Sequence, residues 1–232
     1  VLCGETNQAV AAARFIKCPA RVLIKAKPFL LSPSGEGFVQ PKFRRGAARN
    51  NGELSTMSFI QTASGKHFDY LNASTDDVVI EDIATALSNQ CRFAGHLPEF
   101  YSVAQHSVLC SQIVPAEFAF EALMHDAAEA YCLDIPAPLK ALLPDYRRIE
   151  TQVDDLIRCK FGLPLNQSPA VKYADLVMLA TERRDLEIDD ATRWPILEGI
   201  PASDLIQIIP LRPGQAYGLF MKRFNELLEI RQ

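Results

Sequence analysis

The chain has little tryptophan, little histidine and no long apolar run. One Trp and four His occur in 232 residues, so any histidine chemistry has to come from His67, His96, His106 and His125. No apolar stretch approaches the roughly 18 residues of a membrane span. No N-terminal segment has the charged start, apolar middle and small-residue end of a signal peptide. These absences lead us to expect a cytoplasmic protein with no membrane partner. The six cysteines, at 3, 18, 91, 110, 132 and 159, form no C-x-x-C pair and no tight framework. That excludes a zinc knuckle, and we expect separate, reduced thiols and no disulfides. Methionine is absent before Met57.

What is present is a globular composition, 48% hydrophobic and 22% charged, in a chain long enough to bury a substantial core. The net charge of −4 is unevenly spread. Residues 1–56 hold nine Lys/Arg against three Asp/Glu, while the remainder holds fifteen against twenty-five and stands near −10. A basic arm for nucleic acid is one reading, but its cations are dispersed without aromatic interleaving, so we expect no nucleic-acid polymer as partner. Met57 lies at the charge boundary, and the codons of Gly52-Glu53 can spell a ribosome-binding GGAG just upstream of it. We therefore expect residues 1–56 to be a non-native or disordered extension and 57–232 to be the domain.

"SFIQTASGKHFDYLN" alternates apolar and polar residues about Ser64-Gly65, which predicts a short hairpin at about 58–70. The rest reads as helices. The first opens at cap-competent Ser74, Thr75 and Asp76, with Val79, Ile83, Ala86 and Leu87 at helical spacing. Further helices are predicted through "SVAQHSVLCSQIV", "EFAFEALMHDAAEAY", "DYRRIETQVDDLIRCKF", "SPAVKYADLVMLATERRDL" and "GQAYGLFMKRFNELLEIR". Pro136, Pro138 and Pro144 hold "DIPAPLKALLP" in extended and turn geometry. The expected fold class is all-α, a helical bundle with a short N-terminal β-hairpin. In the last helix, Leu219, Phe220, Phe224 and Leu227 serve either the core or a homodimer interface.

Within "EALMHDAAEAY" a histidine and two carboxylates stand in apolar company. Imidazole and carboxylate together suit a divalent first-row ion, and such a set leaves positions for water where an all-cysteine structural site does not. Consecutive helical residues point about 100° apart, so His125 and Asp126 need partners from other helices. His106 lies among Val103, Val108 and Leu109, and Asp175 among Val171, Ala174, Leu176 and Leu179. Burying either group unpaired would be costly, and a shared cation removes that cost. We expect His106, His125, Asp126 and Asp175 to hold one divalent ion, of the Mn, Co, Ni, Fe, Zn or Mg group. Glu129 falls near the same helical face, where it can orient or deprotonate water. Asp134 follows as leaving-group acid or water orienter. A lone mid-helix histidine is more often a core residue with a satisfied hydrogen bond; four ligand-type residues on apolar faces shift the balance toward a metal.

The pattern H…HD…D resembles the HD-domain metal-dependent phosphohydrolases. The longer run "CRFAGHLPEFYSVAQHS … ALMHDAAEAYCLDIPAPLK … VKYADLVMLATERRDL" is similar to their phage- and prophage-encoded branch related to bacterial 5′-deoxynucleotidases. The likeness covers Met57 to the C-terminus, and it implies an HD-domain bundle with the same four metal ligands, Glu129 activating water and Asp134 assisting. It further implies that Arg92 holds the 5′-phosphate and that Phe93, where the nucleotidases carry tryptophan, crowds the sugar 2′ carbon. Lys172 matches a lysine that meets the phosphate in relatives, or is a solvated helix-start lysine. His96 reaches the same phosphate if its segment is helical; otherwise it is a loop histidine supporting the fold. Gln105 stands where the nucleotidases often have an acid.

The expected function is removal of the 5′-phosphate from deoxynucleoside monophosphates, with the deoxynucleotide as partner and nucleotide-pool adjustment as role. A deoxynucleoside triphosphate triphosphohydrolase would use the same ligands but need more cations near the motifs. A guanosine tetraphosphate hydrolase normally has Glu-Asp where Glu129-Ala130 stands. A non-catalytic nucleotide-binding module would have no need of Glu129 or Asp134.

Overall fold

The computed structural model describes residues 58–189 and 191–231; the expected extension at 1–56 lies outside them. Strands β1 (Phe59–Gln61) and β2 (His67–Asp69) form an antiparallel hairpin with Ile60 opposite Phe68. The turn needs a positive φ, which Gly65 supplies at 83°. Phe68 is fully buried and stacks on Tyr131 with ring centroids 4.1 Å apart. The turn is also tied down, because the Ser64 amide and hydroxyl donate to Asp82 at 2.6 and 2.7 Å.

The remainder is helical: α1 (Ile80–Asn89), α2 (Val103–Ile113), α3 (Ala119–Met124), α4 (Glu129–Cys132), α5 (Ala137–Lys140), α6 (Pro144–Phe161), α7 (Pro169–Asp185) and α8 (Pro213–Ile230). Proline opens α6, α7 and α8, where its missing N–H costs nothing. Gly162, left-handed at φ 62°, closes α6. Helices α2 and α3 lie together at the centre, with α1 and α8 packed along α2 and α7 against its other side. The main core joins Ile83, Leu87, Val108, Leu123, Leu156 and Phe220. A second cluster of Tyr101, Cys110, Ala122, Val171 and Met178 cements α2 and α3 to α7. Phe220, Phe224 and Leu227 are buried and Leu219 packs against the same core, so these side chains of α8 serve the core. No described helix is long and apolar enough to cross a membrane.

Four details depart from the sequence reading. The first helix begins at Ile80, because Ser74 caps a separate 3-10 turn, Thr75–Asp77, donating from its amide and hydroxyl to Asp77 at 2.8 Å each. The third predicted helix is interrupted between Met124 and Glu129, where bonds from Ala127 N to Met124 O and Glu129 N to Asp126 O tighten the chain to three-residue turns. "APLK" makes a single helical turn after Pro136 rather than staying extended. Cys91, Cys110 and Cys132 are free thiols as expected, but Cys159 is disulfide-bonded, a correction to which residue spacing along the chain offered no clue.

Helix α2 starts at Ser102, whose hydroxyl accepts from the Gln105 amide at 3.2 Å while the residue is fully buried. Ser102→Ala is expected to lower stability by about 1 kcal/mol, measured as a reduced midpoint in urea unfolding at unchanged slope.

Candidate metal centre

Two helices and the break after a third deliver the predicted ligands to one place. His106 comes from the middle of α2, His125 and Asp126 from the tight turn after α3, and Asp175 from α7. Glu121 sets the register of the last two. It sits in α3, and its carboxylate accepts from the Ser168 amide and hydroxyl at 2.7 and 2.5 Å, so the start of α7 is fastened to the helix that carries His125.

His106 Nε2 lies 3.2 Å from Asp175 Oδ1 and 3.7 Å from Asp126 Oδ2, and His125 Nε2 lies 3.9 and 3.1 Å from the same two oxygens. Each ring is oriented from behind. Glu182 Oε1 is 2.6 Å from His106 Nδ1, and the Ala122 carbonyl accepts from His125 Nδ1 at 2.8 Å. With Nδ1 carrying the proton in both rings, both Nε2 atoms present lone pairs to the centre. His125 Nε2 is buried and has no hydrogen-bond partner. Nitrogen and oxygen donors at about 2.0–2.1 Å from a tetrahedral ion stand about 3.4 Å apart, and the four nitrogen–oxygen distances here, 3.1–3.9 Å, bracket that edge. The residues fit a divalent cation.

The electrostatics agree. Burial opposes charge on both imidazoles, and Arg92 opposes it further on His106, yet the neighbouring acidic groups outweigh this: Asp126, then Cys110 and Asp175, push His125 up to about 9, and Cys110, Glu182 and Asp175 raise His106. Burial likewise opposes charge on Asp126, and the His125 imidazolium reverses this and holds it below the usual carboxylate range. Protons on the rings thus balance the acids, and a cation would do the same work in their place.

Glu129, at the head of α4, is pushed up by burial and then by Asp126 and Asp134. Its expected four-residue helical relation to His125 does not hold, since the intervening turns are three-residue; its bond to the Asp126 carbonyl places it one such turn after that ligand. Glu129 Oε2 is buried without a partner, and the side chain lines a cleft with Asp126, Lys140, Glu150 and Asp154. Asp134, raised by burial, is placed by Gln90, which donates to the Glu129 carbonyl at 2.9 Å and accepts from the Asp134 amide at 3.1 Å.

Arg92 is largely buried, 3.1 Å from Glu182 and 3.7 Å from Asp126, so the cation expected to meet phosphate is already tied into the ligand support. Its guanidinium stands 5.7 Å from the Phe93 ring centroid. The following segment is a 3-10 turn, Phe93–Gly95, with Phe93 and Ala94 at φ 56° and 52°, a conformation costly for residues other than glycine. Helical spacing therefore does not carry His96 to Arg92, and its side chain is exposed. Lys172 is exposed in the first turns of α7.

Sequence reasoning missed Glu182, Gln90, Lys140 and Cys110. Glu182 was legible in part: it follows Asp175 by seven residues, two turns along the same face. Lys140 is 2.6 Å from Glu150 and 3.8 Å from Glu129, a contact no local pattern marks. Gln105 has its own reason for not being an acid: its amide donates to Ile209 O at 2.8 Å and accepts from Leu211 N at 2.9 Å, and an ionised carboxylate has no proton to donate.

No protein-family model matches the chain. It is 68% identical over 176 residues to the uncharacterized protein YfdR of Escherichia coli (strain K12), an alignment spanning 76% of this chain and 99% of that protein. The chain belongs to the YfdR family. The uncharacterized protein RCAP_rcc00048 of Rhodobacter capsulatus is 28% identical over 182 residues, covering 71% of this chain and 93% of its own. Neither name states an activity, so the chemistry of this YfdR-family chain has to be argued from its centre.

Proposed function

We propose that the protein is a metal-dependent phosphohydrolase of the HD-domain type that removes the 5′-phosphate of deoxynucleoside monophosphates. The observation that supports hydrolysis is the convergence of two imidazole nitrogens and two carboxylate oxygens from separate segments, with His125 Nε2 buried beside Asp126 at 3.1 Å but without a hydrogen bond. The substrate class comes from the motif resemblance. His106, His125, Asp126 and Asp175 would hold the ion. When bound, a divalent cation supplies Lewis-acid polarisation of a phosphoryl oxygen and makes water a better nucleophile.

The chain's own groups do the rest. Glu129, buried and held above the ordinary carboxylate range by burial and by Asp126 and Asp134, takes a proton from the water that attacks phosphorus, help worth about 10²–10⁴-fold. Lys140, braced by Glu150, steadies Glu129 from the cleft side. As the bond to the 5′-oxygen breaks, Asp134, whose carboxyl burial favours the protonated form, gives that oxygen its proton. Arg92, between Asp126 and Glu182, adds fixed positive charge beside the reacting phosphate. Among the residues lining the cleft, Lys140 and the His125 imidazole stand against four carboxylates. Such a wall repels a long polyphosphate and favours a monophosphate.

The test is phosphate release from a panel of deoxy- and ribonucleoside mono- and triphosphates with Mn²⁺, Co²⁺ and Mg²⁺. Inorganic phosphate from deoxynucleoside monophosphates is the expected product. Tripolyphosphate would make the protein a triphosphohydrolase, and nucleotide binding with no product would make it a non-catalytic module.

A further inference from the structure

Cys110 is a free and fully buried thiol with no part in proton transfer. It follows His106 by four residues in α2, so the two side chains share one face of that helix. Its Sγ is 3.4 Å from His106 Nε2, the nitrogen that also faces Asp175 and Asp126. One donor atom from each of His106, Cys110, His125 and Asp175 can be chosen so that all four lie within 4.8 Å of one another. A second observation points to a ligand at this spot. The His125 side chain is 3% exposed, and its Nε2, aimed into the group, has no hydrogen-bond partner. For nitrogen and sulfur at about 2.0 and 2.3 Å from a tetrahedral ion, the donor-to-donor edge is about 3.5 Å, close to the 3.4 Å between Cys110 Sγ and His106 Nε2.

We propose that Cys110 is a thiolate ligand of the ion held by His106, His125 and Asp175, and that it biases the centre toward zinc, cobalt or iron over magnesium and manganese. The proposal rests on the metal centre but not on its use in hydrolysis. A thiolate is a soft donor and prefers the later first-row ions, whereas magnesium and manganese favour oxygen sets. As the bond from sulfur to the ion forms, the thiol proton leaves to solvent, so uptake of the ion releases a proton from this residue. Asp126 Oδ2, 3.7 Å from His106 Nε2 and 3.1 Å from His125 Nε2, remains available as a further donor.

Cobalt reports the ligand directly. Titrating the purified full chain with Co²⁺ should give weak visible bands together with an intense near-ultraviolet sulfur-to-cobalt charge-transfer band. That band should be lost in Cys110→Ser and kept in Cys132→Ser. Visible bands without the charge-transfer band in the unaltered chain would overturn the thiolate ligand and leave the metal centre standing. No cobalt bands at all would overturn both. Cys110→Ala serves as a second variant should Cys110→Ser fail to fold: loss of the charge-transfer band with the visible bands kept supports the ligand, and its retention overturns it. Competition between Zn²⁺ and Mg²⁺, read by metal content after gel filtration, should show a zinc preference that weakens when sulfur is removed.

Discussion

Replacing Glu182 by alanine is expected to lower stability by about 3–5 kcal/mol, the range for stripping one partner from a buried ion pair. Glu182 is fully buried in α7 and holds two groups at once, Arg92 at 3.1 Å and His106 Nδ1 at 2.6 Å. Burial disfavours its charge, yet Arg92 and His106 keep it below the usual carboxylate range. Removing it leaves a guanidinium that is itself buried without its nearest counter-ion, and frees the His106 ring to turn. Support of this kind behind a ligand is typically worth about 10–100-fold in metal affinity. Urea unfolding and a metal-binding isotherm on Glu182→Ala should therefore both move. Glu182→Gln should recover much of the packing but little of the affinity, because its amide oxygen is a weaker partner for the imidazole N–H. Normal metal binding by the alanine variant would show that the Nδ1 contact does not orient the ligand.

Glu129→Gln should act on rate instead of structure. The carboxyl is raised by burial and by Asp126 and Asp134, so its protonated, neutral form is favoured in the folded protein and glutamine resembles that form in size and charge. Stability and metal content should stay near those of the unaltered chain, while metal-dependent phosphate release falls by about 10²–10⁴-fold. The sign of the pH effect follows from the same shift. A base works only when deprotonated, so the rate should fall as pH drops through a folded value that lies above the ordinary carboxylate range. This acidic limb should disappear from whatever activity the glutamine variant retains. Unchanged phosphate release in Glu129→Gln would remove this residue from the reaction.

Much of the centre was legible because burial makes polar residues conspicuous. His106, His125, Asp126 and Asp175 each interrupt an apolar stretch, and an unpaired buried polar group is expensive, an argument that applies to the two buried histidines more than to Asp126 and to Asp175, whose side chain is 41% exposed. Their nitrogen and oxygen atoms do meet. The end of α6 at Gly162 and the start of α7 at Ser168-Pro169 were also readable, since these residues act through local backbone geometry alone, whereas Pro144, read as turn geometry, is the first residue of α6. The readings that the structure changes are those that rested on regular helical turns. His96 and the helical spacing of Glu129 both depended on regular turns, and the chain uses three-residue turns and left-handed residues there.

By itself, then, the order of residues determined the helical class, the hairpin, several helix ends and the residue types of the candidate centre, because periodicity, capping and the cost of burying charge are all written locally. Only the tertiary structure decided which groups face the ligands from behind or from another segment. Glu182 under His106, Gln90 bridging Glu129 and Asp134, Lys140 beside Glu129 and the Cys110 thiol turned toward His106 depend on how the helices pack and which way side chains point. Those contacts arise from three-dimensional closure of the core, which no short window of sequence encodes.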